Sequence, residues 1–192
     1  MSESAQRSEQ LFTYQDYLTW PVNERWELLN GQAYNMTPAP SRRHQEISGQ
    51  LLTLFNNYLK GKTCRVYAAP FDVRLPQLQE SDEQTSTVVQ PDLVVVCDKT
   101  KLDHHGCKGS PDLVVEITSP STFQKDLKEK FNLYERVGVH EYWIVYPEEN
   151  TICVFHLTHE GKYSRPEVYT EQDSINVGIF ADFTIELPEV FA

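Results

Sequence analysis

Two short runs built almost entirely from branched apolar residues constrain this chain more than any other feature. Leu93 to Val96 follows Pro91-Asp92, and Leu113 to Ile117 follows Pro111-Asp112. Continuous Val-rich runs of this length read as strands buried on both faces, the kind found in the middle of an α/β sheet. A third strand, Tyr142 to Tyr146, comes after a helical segment over 121–137. Ser121 with Gln124 forms that helix's capping box and Gly138 supplies its stop. Strand, helix, strand in this order implies a right-handed βαβ crossover.

The remaining segments fit around that core. Thr13 and Asp16 start a short helix through Tyr17 and Leu18, stopped by Trp20-Pro21. Asn30-Gly31 between apolar runs signals a hairpin. Pro38 and Pro40 precede a second helix, capped by Ser41, with Ile47, Leu51, Leu54, Phe55 and Tyr58 on one stripe and Gly61 past its end. Strands are expected at 64–69 and 71–75, and residues 76–87 read as an exposed, mobile loop. CVFHL at 153–157 and the alternating segments after it read as antiparallel hairpin and edge structure. The expected class is α/β (α+β), with a central mixed sheet flanked by helices and extra antiparallel hairpins. A chain of 192 residues suits one domain over 12–192 behind a flexible tail over 1–11.

No run approaches the roughly 18 apolar residues of a membrane helix. The first ten residues are polar, unlike an export signal, so a cytoplasmic protein with reduced thiols is expected. The four cysteines, at 64, 97, 107 and 153, form no C-x2-C pair, so Cys97, His104, His105 and Cys107 read as loop residues and not as a zinc clasp.

Three carboxylates stand where carboxylates are costly: Asp92 before the first apolar run, Glu116 inside the second, and Glu27 between Trp26 and Leu28. Each needs a partner, a metal or a proton. Carboxylates on adjacent strands let a hard divalent cation be shared, with water filling its other positions. On the 121–137 helix, at about 100° per residue, Phe123, Leu127, Phe131 and Tyr134 form the buried face. Lys130 lies about 60° from Leu127 on that face, whereas Lys125 and Lys128 lie on the solvated side. Counting rises of about 3.3 Å per strand residue and about 1.5 Å per helix residue brings Lys130 level with Glu116. Asp, Glu and Lys converging at a sheet edge are equipment for metal-assisted phosphodiester hydrolysis. His44, on the apolar face of the second helix, is placed to hydrogen-bond into such a site or to sit as a satisfied core histidine. Ser119 and Ser121 have no histidine base beside them, which argues against a serine hydrolase.

VVQPDLVVV, GSPDLVVEITSPS, a helix carrying K-x3-Y and then GVHEYWIV together resemble the Uma-type restriction endonuclease family of bacteria, abundant in cyanobacteria, within the PD-(D/E)XK nuclease superfamily. The resemblance implies a restriction-endonuclease-like core. It makes Asp92 the motif aspartate, Glu116 the motif glutamate and Lys130 the lysine, with Tyr134 one turn on and Glu27 a further contributor. Thr118 occupies the superfamily's usual lysine slot, and the hairpin reads Asn-Gly-Gln where relatives often have Asp-Gly-Glu. The implied activity is a metal-dependent endonuclease acting on DNA. Asp92, Glu116, Glu27 and the Ile117 carbonyl would hold Mg2+ or Mn2+, and Lys130 would position the attacking water. A homodimer would suit cutting two strands. The alternatives are a non-catalytic DNA-binding or assembly protein on the same fold, and an enzyme acting on another phosphate ester.

The formal charge of −11 weighs against nucleic acid, but it is unevenly spread. Ten acids and two bases lie beyond residue 140, so the part carrying the candidate site is nearly neutral, with Arg42, Arg43, Lys125 and Lys128 near the helices. Weak, salt-sensitive, metal-dependent binding is expected, with the acidic C-terminal part facing elsewhere.

Overall fold

The computed structural model describes residues 10–21, 23–36, 39–77, 80–119 and 125–192, with the backbone alone for 125–127. The short helix α1 (Tyr14–Tyr17) is capped by Thr13. The hairpin of β1 (Trp26–Leu29) and β2 (Gln32–Asn35) follows. Its turn residues, Asn30 and Gly31, both have positive φ, 50° and 80°, which a two-residue type I′ connection demands. Helix α2 (Arg42–Leu59) starts at Ser41, whose hydroxyl accepts from the His44 N–H at 3.2 Å.

One sheet is built from β3 (Arg65–Ala68), β6 (Leu93–Val96), β9 (Leu113–Ile117), β10 (Glu141–Tyr146), β11 (Thr151–His156) and β12 (Glu167–Thr170). Their spatial order is β12-β11-β10-β9-β6-β3, and among them only β9 and β10 pair in parallel. The crossover between those two is a π-helical turn over Lys125–Lys130 followed by α3 (Phe131–Val137), which ends on Gly138 in the left-handed conformation. The mixed sheet was expected from the two apolar runs, and the burial explains them. Leu93, Val95, Leu113 and Val115 pack with Ile47, Leu51 and Phe55 of α2, while Val94, Val96 and Val114 pack with Leu133 and Tyr134 of α3. Alternate residues therefore enter two different cores, and neither face has room for polar groups except at the strand ends.

A second sheet, in the order β2-β1-β5-β4-β8-β7, adds β4 (Val73–Arg74), β5 (Val88–Val89), β7 (Leu102–Asp103) and β8 (Gly106–Lys108). Its Leu29, Val73, Val89 and Cys107 join the α3-side core. The hairpin of β13 (Ser174–Asn176) and β14 (Thr184–Glu186), then α4 (Leu187–Phe191), closes the α2 side.

Three expectations are corrected. Residues 80–87 do not form a free loop. Thr85 and Thr87 are buried, and the carbonyls of Glu83, Thr85 and Ser86 accept from Gln15, Tyr14 and Gly31. Asp82 pairs with Arg74, whose guanidinium is wholly enclosed. Polar composition marks a turn, but it cannot show that distant backbone donors will pin it. Second, Cys64 and Cys97 form a disulfide instead of remaining thiols. The β3–β6 register pairs Arg65 with Val96, which brings the next residues outward, Cys64 and Cys97, together. Third, the crossover enters through a π turn and not a uniform α-helix. The capping box at Ser121 and Gln124, and the side chains of Phe123, Lys125 and Leu127, lie outside the described residues.

Candidate active site

The β6–β9 register pairs Leu93 with Val115, so one further step sets Asp92 opposite Glu116 at the sheet's end. Glu116 alternates onto the α3 side of β9 and is only 4% exposed. The Lys130 ammonium, 2% exposed, lies 2.8 Å from Glu116 Oε1 and 3.0 Å from Glu27 Oε1. Glu27 is fully buried in β1, where its Oε1 also accepts from the Gln90 backbone N–H at 3.0 Å. Tyr134, one turn beyond Lys130, donates its hydroxyl to Glu116 Oε1 at 2.7 Å. Complete burial, then the charges of Glu116 and Glu27, push the Tyr134 phenol well above its ordinary range. The hydroxyl therefore stays a fixed donor at any physiological pH.

Asp92 is held separately. Its Oδ2 accepts from the Ile117 backbone N–H at 2.7 Å and lies 3.2 Å from His44 Nε2. The buried His44 Nδ1 has no hydrogen-bond partner among the described residues. Thr118 turns its hydroxyl to the Val145 carbonyl, so no cation is supplied from two residues beyond Glu116. Lys128 is exposed, in contrast to the buried Lys130.

Glu27, Glu116, Lys130 and Tyr134 thus form one contiguous cluster, and Asp92 with His44 abuts it across paired strands. With the carboxylates ionised, two glutamates and one lysine leave a negative charge in a buried place, and Asp92 adds another. That surplus, made of hard oxygen atoms, suits a divalent cation. Among the described residues no three His, Cys, Asp or Glu side chains are grouped closely enough to hold a metal by themselves. A donor set of carboxylates completed by water is the kind Mg2+ uses, whereas Zn2+ favours His and Cys.

Sequence reasoning missed Gln90 and the residues around it. Its side-chain amide donates to Asp72 Oδ1 and Tyr17 Oη at 2.9 and 3.0 Å, and its carbonyl accepts from Arg25 Nε at 3.1 Å. Standing two residues before Asp92 within an apolar context, Gln90 carried a period-two signal that would have marked it. The two cysteines flanking the histidine pair do not make a zinc clasp with it: Cys97 is bonded to Cys64, and Cys107 is buried, its thiol pushed up to about 11 by desolvation.

A crystal structure described as that of a "putative nuclease belonging to DUF820" from Anabaena variabilis matches 94% of this chain and 97% of its own, with a TM-score of 0.73 at 18% identity. That likeness concerns the fold, which is mixed α+β of the restriction-endonuclease type. A Synechocystis sp. protein described as "Uncharacterized protein slr1290" is 30% identical over 152 residues, 78% of this chain and 76% of the relative. The model of the Uma2 family, described as "Putative restriction endonuclease", matches residues 14–188, and the chain belongs to that family.

Proposed function

We propose that the protein is a metal-dependent endonuclease that hydrolyses phosphodiester bonds of DNA. The observation that carries this reading is the enclosed lysine: Lys130 is taken out of water and delivered to Glu116 and Glu27 beside a strand-end aspartate. A lysine is rarely buried at this cost without a task, and Uma2 membership supplies the class of reaction. Asp92 and Glu116 would hold Mg2+ or Mn2+, with Glu27 and the Ile117 carbonyl as further donors. When bound, the cation would offset phosphate charge and lower the pKa of a coordinated water. Lys130 would orient the attacking water and meet negative charge developing on the phosphate. Tyr134 keeps Glu116 in its rotamer, and His44 does the same for Asp92.

A second reading, a non-catalytic nuclease-fold protein, is favoured by one detail. Glu116 Oε1 already accepts from both Lys130 and Tyr134, as in a self-satisfied structural ion pair. Incubating the protein with single- and double-stranded DNA and Mg2+ or Mn2+, beside Glu116→Ala, separates the two. Cleavage reduced at least a hundredfold by the substitution is expected for the enzyme. Equal cleavage by both proteins, or none from either while the wild type binds DNA, overturns it.

A further inference from the structure

Beside the cluster just described, a cavity of about 380 Å3 opens among Phe71, Asp72, Gln90, His104 and His105. Gln90 connects the two places: its backbone N–H holds Glu27, while its side chain forms part of the cavity wall. The cavity has an aromatic side, because Phe71 lines it with its ring stacked on Tyr67, centroids 4.3 Å apart and planes 3° from parallel. It also has a polar floor fixed in place. The Gln90 amide uses both its hydrogens on Asp72 and Tyr17 and its oxygen on Arg25, so it cannot turn. The Gln90 amide and the Tyr17 hydroxyl both donate to Asp72 at Oδ1; Oδ2 has no hydrogen-bond partner among the described residues. Gly106 lets the β7–β8 turn approach this floor, since a Cβ there would fall 2.2 Å from the Asp72 carbonyl oxygen.

We propose that this cavity receives one unpaired nucleobase of the substrate strand, stacked against Phe71 and donating an N–H to Asp72 Oδ2. The inference rests on the nuclease reading and names the form of substrate that site takes: a single-stranded or locally unpaired nucleotide. Two carboxylates line the space, Asp72 and Asp103, which disfavours a phosphate but suits the N–H groups that every base carries on its pairing edge. In a duplex that edge is already used and the base is stacked, so entry costs a few kcal/mol that a single strand does not incur. A fixed floor and an aromatic wall accept a base at low entropic cost, as in other single-strand binders. His104 and His105 at the rim are exposed and reach the sugar and phosphate outside.

The test is fluorescence anisotropy in EDTA, where cleavage is absent, with a labelled 12-nucleotide single strand and the matching duplex. The wild type should bind the single strand at least tenfold tighter. Phe71→Ala should weaken single-strand binding about tenfold and duplex binding little, and Phe71→Trp should restore it. Asp72→Asn should weaken it severalfold. Equal wild-type affinity for the two forms, or an unchanged affinity in a folded Phe71→Ala, overturns the proposal, and the wild-type comparison decides even if both variants fail to fold. Glu116-dependent cleavage without Phe71-dependent binding would leave the nuclease and remove the pocket. Phe71-dependent binding without cleavage would leave the pocket and remove the nuclease.

Discussion

Tyr134 has its hydroxyl sealed against Glu116 Oε1, the same oxygen that takes the Lys130 ammonium. Because burial and two neighbouring carboxylates raise its pKa in the folded protein above the ordinary value of 10.0, the folded state keeps a proton the unfolded chain gives up. The resulting stabilisation is complete below pH 10 and is lost as pH rises from there toward the folded-state pKa. Tyr134→Phe has no such proton. It should be less stable at pH 8 by about 1.5–3 kcal/mol, the worth of a hydrogen bond to a charged group. Its unfolding free energy from urea titration should then decline less steeply between pH 9.5 and 11, by on the order of 1 kcal/mol per pH unit. Tyr17 and Tyr163 are raised as well and titrate in both proteins, so the difference between the two curves isolates Tyr134. Parallel curves would mean the phenol is not enclosed. The lysine of this cluster was legible in the sequence from its place four residues before Tyr134 and from the strand rise, although the angle was counted for an α-helix and Lys130 closes a π turn. The role of Glu27 as the lysine's second partner was not, since it depends on how one sheet is laid against another.

At the scale of elements, the segment over 80–87 and the β7–β8 hairpin are far apart in sequence and are tied together chiefly by Arg74, with Lys108 of β8 adding a looser pair to Asp82 at 3.7 Å. Arg74, on β4 and fully enclosed, binds Asp82 from the first and Asp103 from the second, with its guanidinium 5.2 Å from the Tyr14 ring centroid. The bond from Arg74 is the main reason the Asp103 carboxyl sits below its ordinary range. Removing the guanidinium strips Asp103 of that partner and leaves Asp82 with Lys108, 3.7 Å away. Both acids are partly exposed and can rehydrate, which reduces the loss below the ~3–5 kcal/mol typical of a broken buried pair. Arg74→Met should therefore cost about 2 kcal/mol. It should also open residues 80–87 to limited proteolysis at conditions where the wild type is intact. Unchanged cleavage kinetics would show that the backbone bonds to Tyr14, Gln15 and Gly31 hold the segment unaided. Local signals were enough for the Asn30-Gly31 hairpin, Ser41 at the head of α2 and Gly138 at the end of α3, because caps and turns are made by neighbours in sequence. The Arg74 hub and the Cys64–Cys97 bond depend on register between distant strands, which no local pattern encodes.

Across the whole molecule, charge sets how nucleic acid can be held. The bases near the helices are fewer in practice than their number in sequence. Arg43 is spent on the C-terminus, bonding the Phe191 carbonyl and Asn150 Oδ1 at 2.8 Å each, whereas Arg42, although paired with Glu46, keeps an exposed head and Lys128 is exposed. The helix α4 that claims Arg43 is a short C-terminal segment with no strong sequence signal, which is why that arginine reads as available until the fold is seen. Of those bases, Arg42 and Lys128 are the exposed ones among the described residues; two such contacts release few counterions, so log K for single-stranded DNA should fall with log salt at a slope of only about −1.5. Contacts that do not depend on salt, stacking above all, must then supply most of the affinity. The negative surplus of Asp92, Glu116 and Glu27 works against the phosphate, so offsetting it should raise affinity. A non-hydrolysing divalent cation such as Ca2+ at constant ionic strength should therefore tighten binding about tenfold or more, and Glu116→Gln in its absence should reproduce part of that gain. A salt slope steeper than about −5 would reveal an extended basic surface. Affinity indifferent to both the cation and the glutamine would place the phosphate away from these carboxylates and detach the cluster from the substrate.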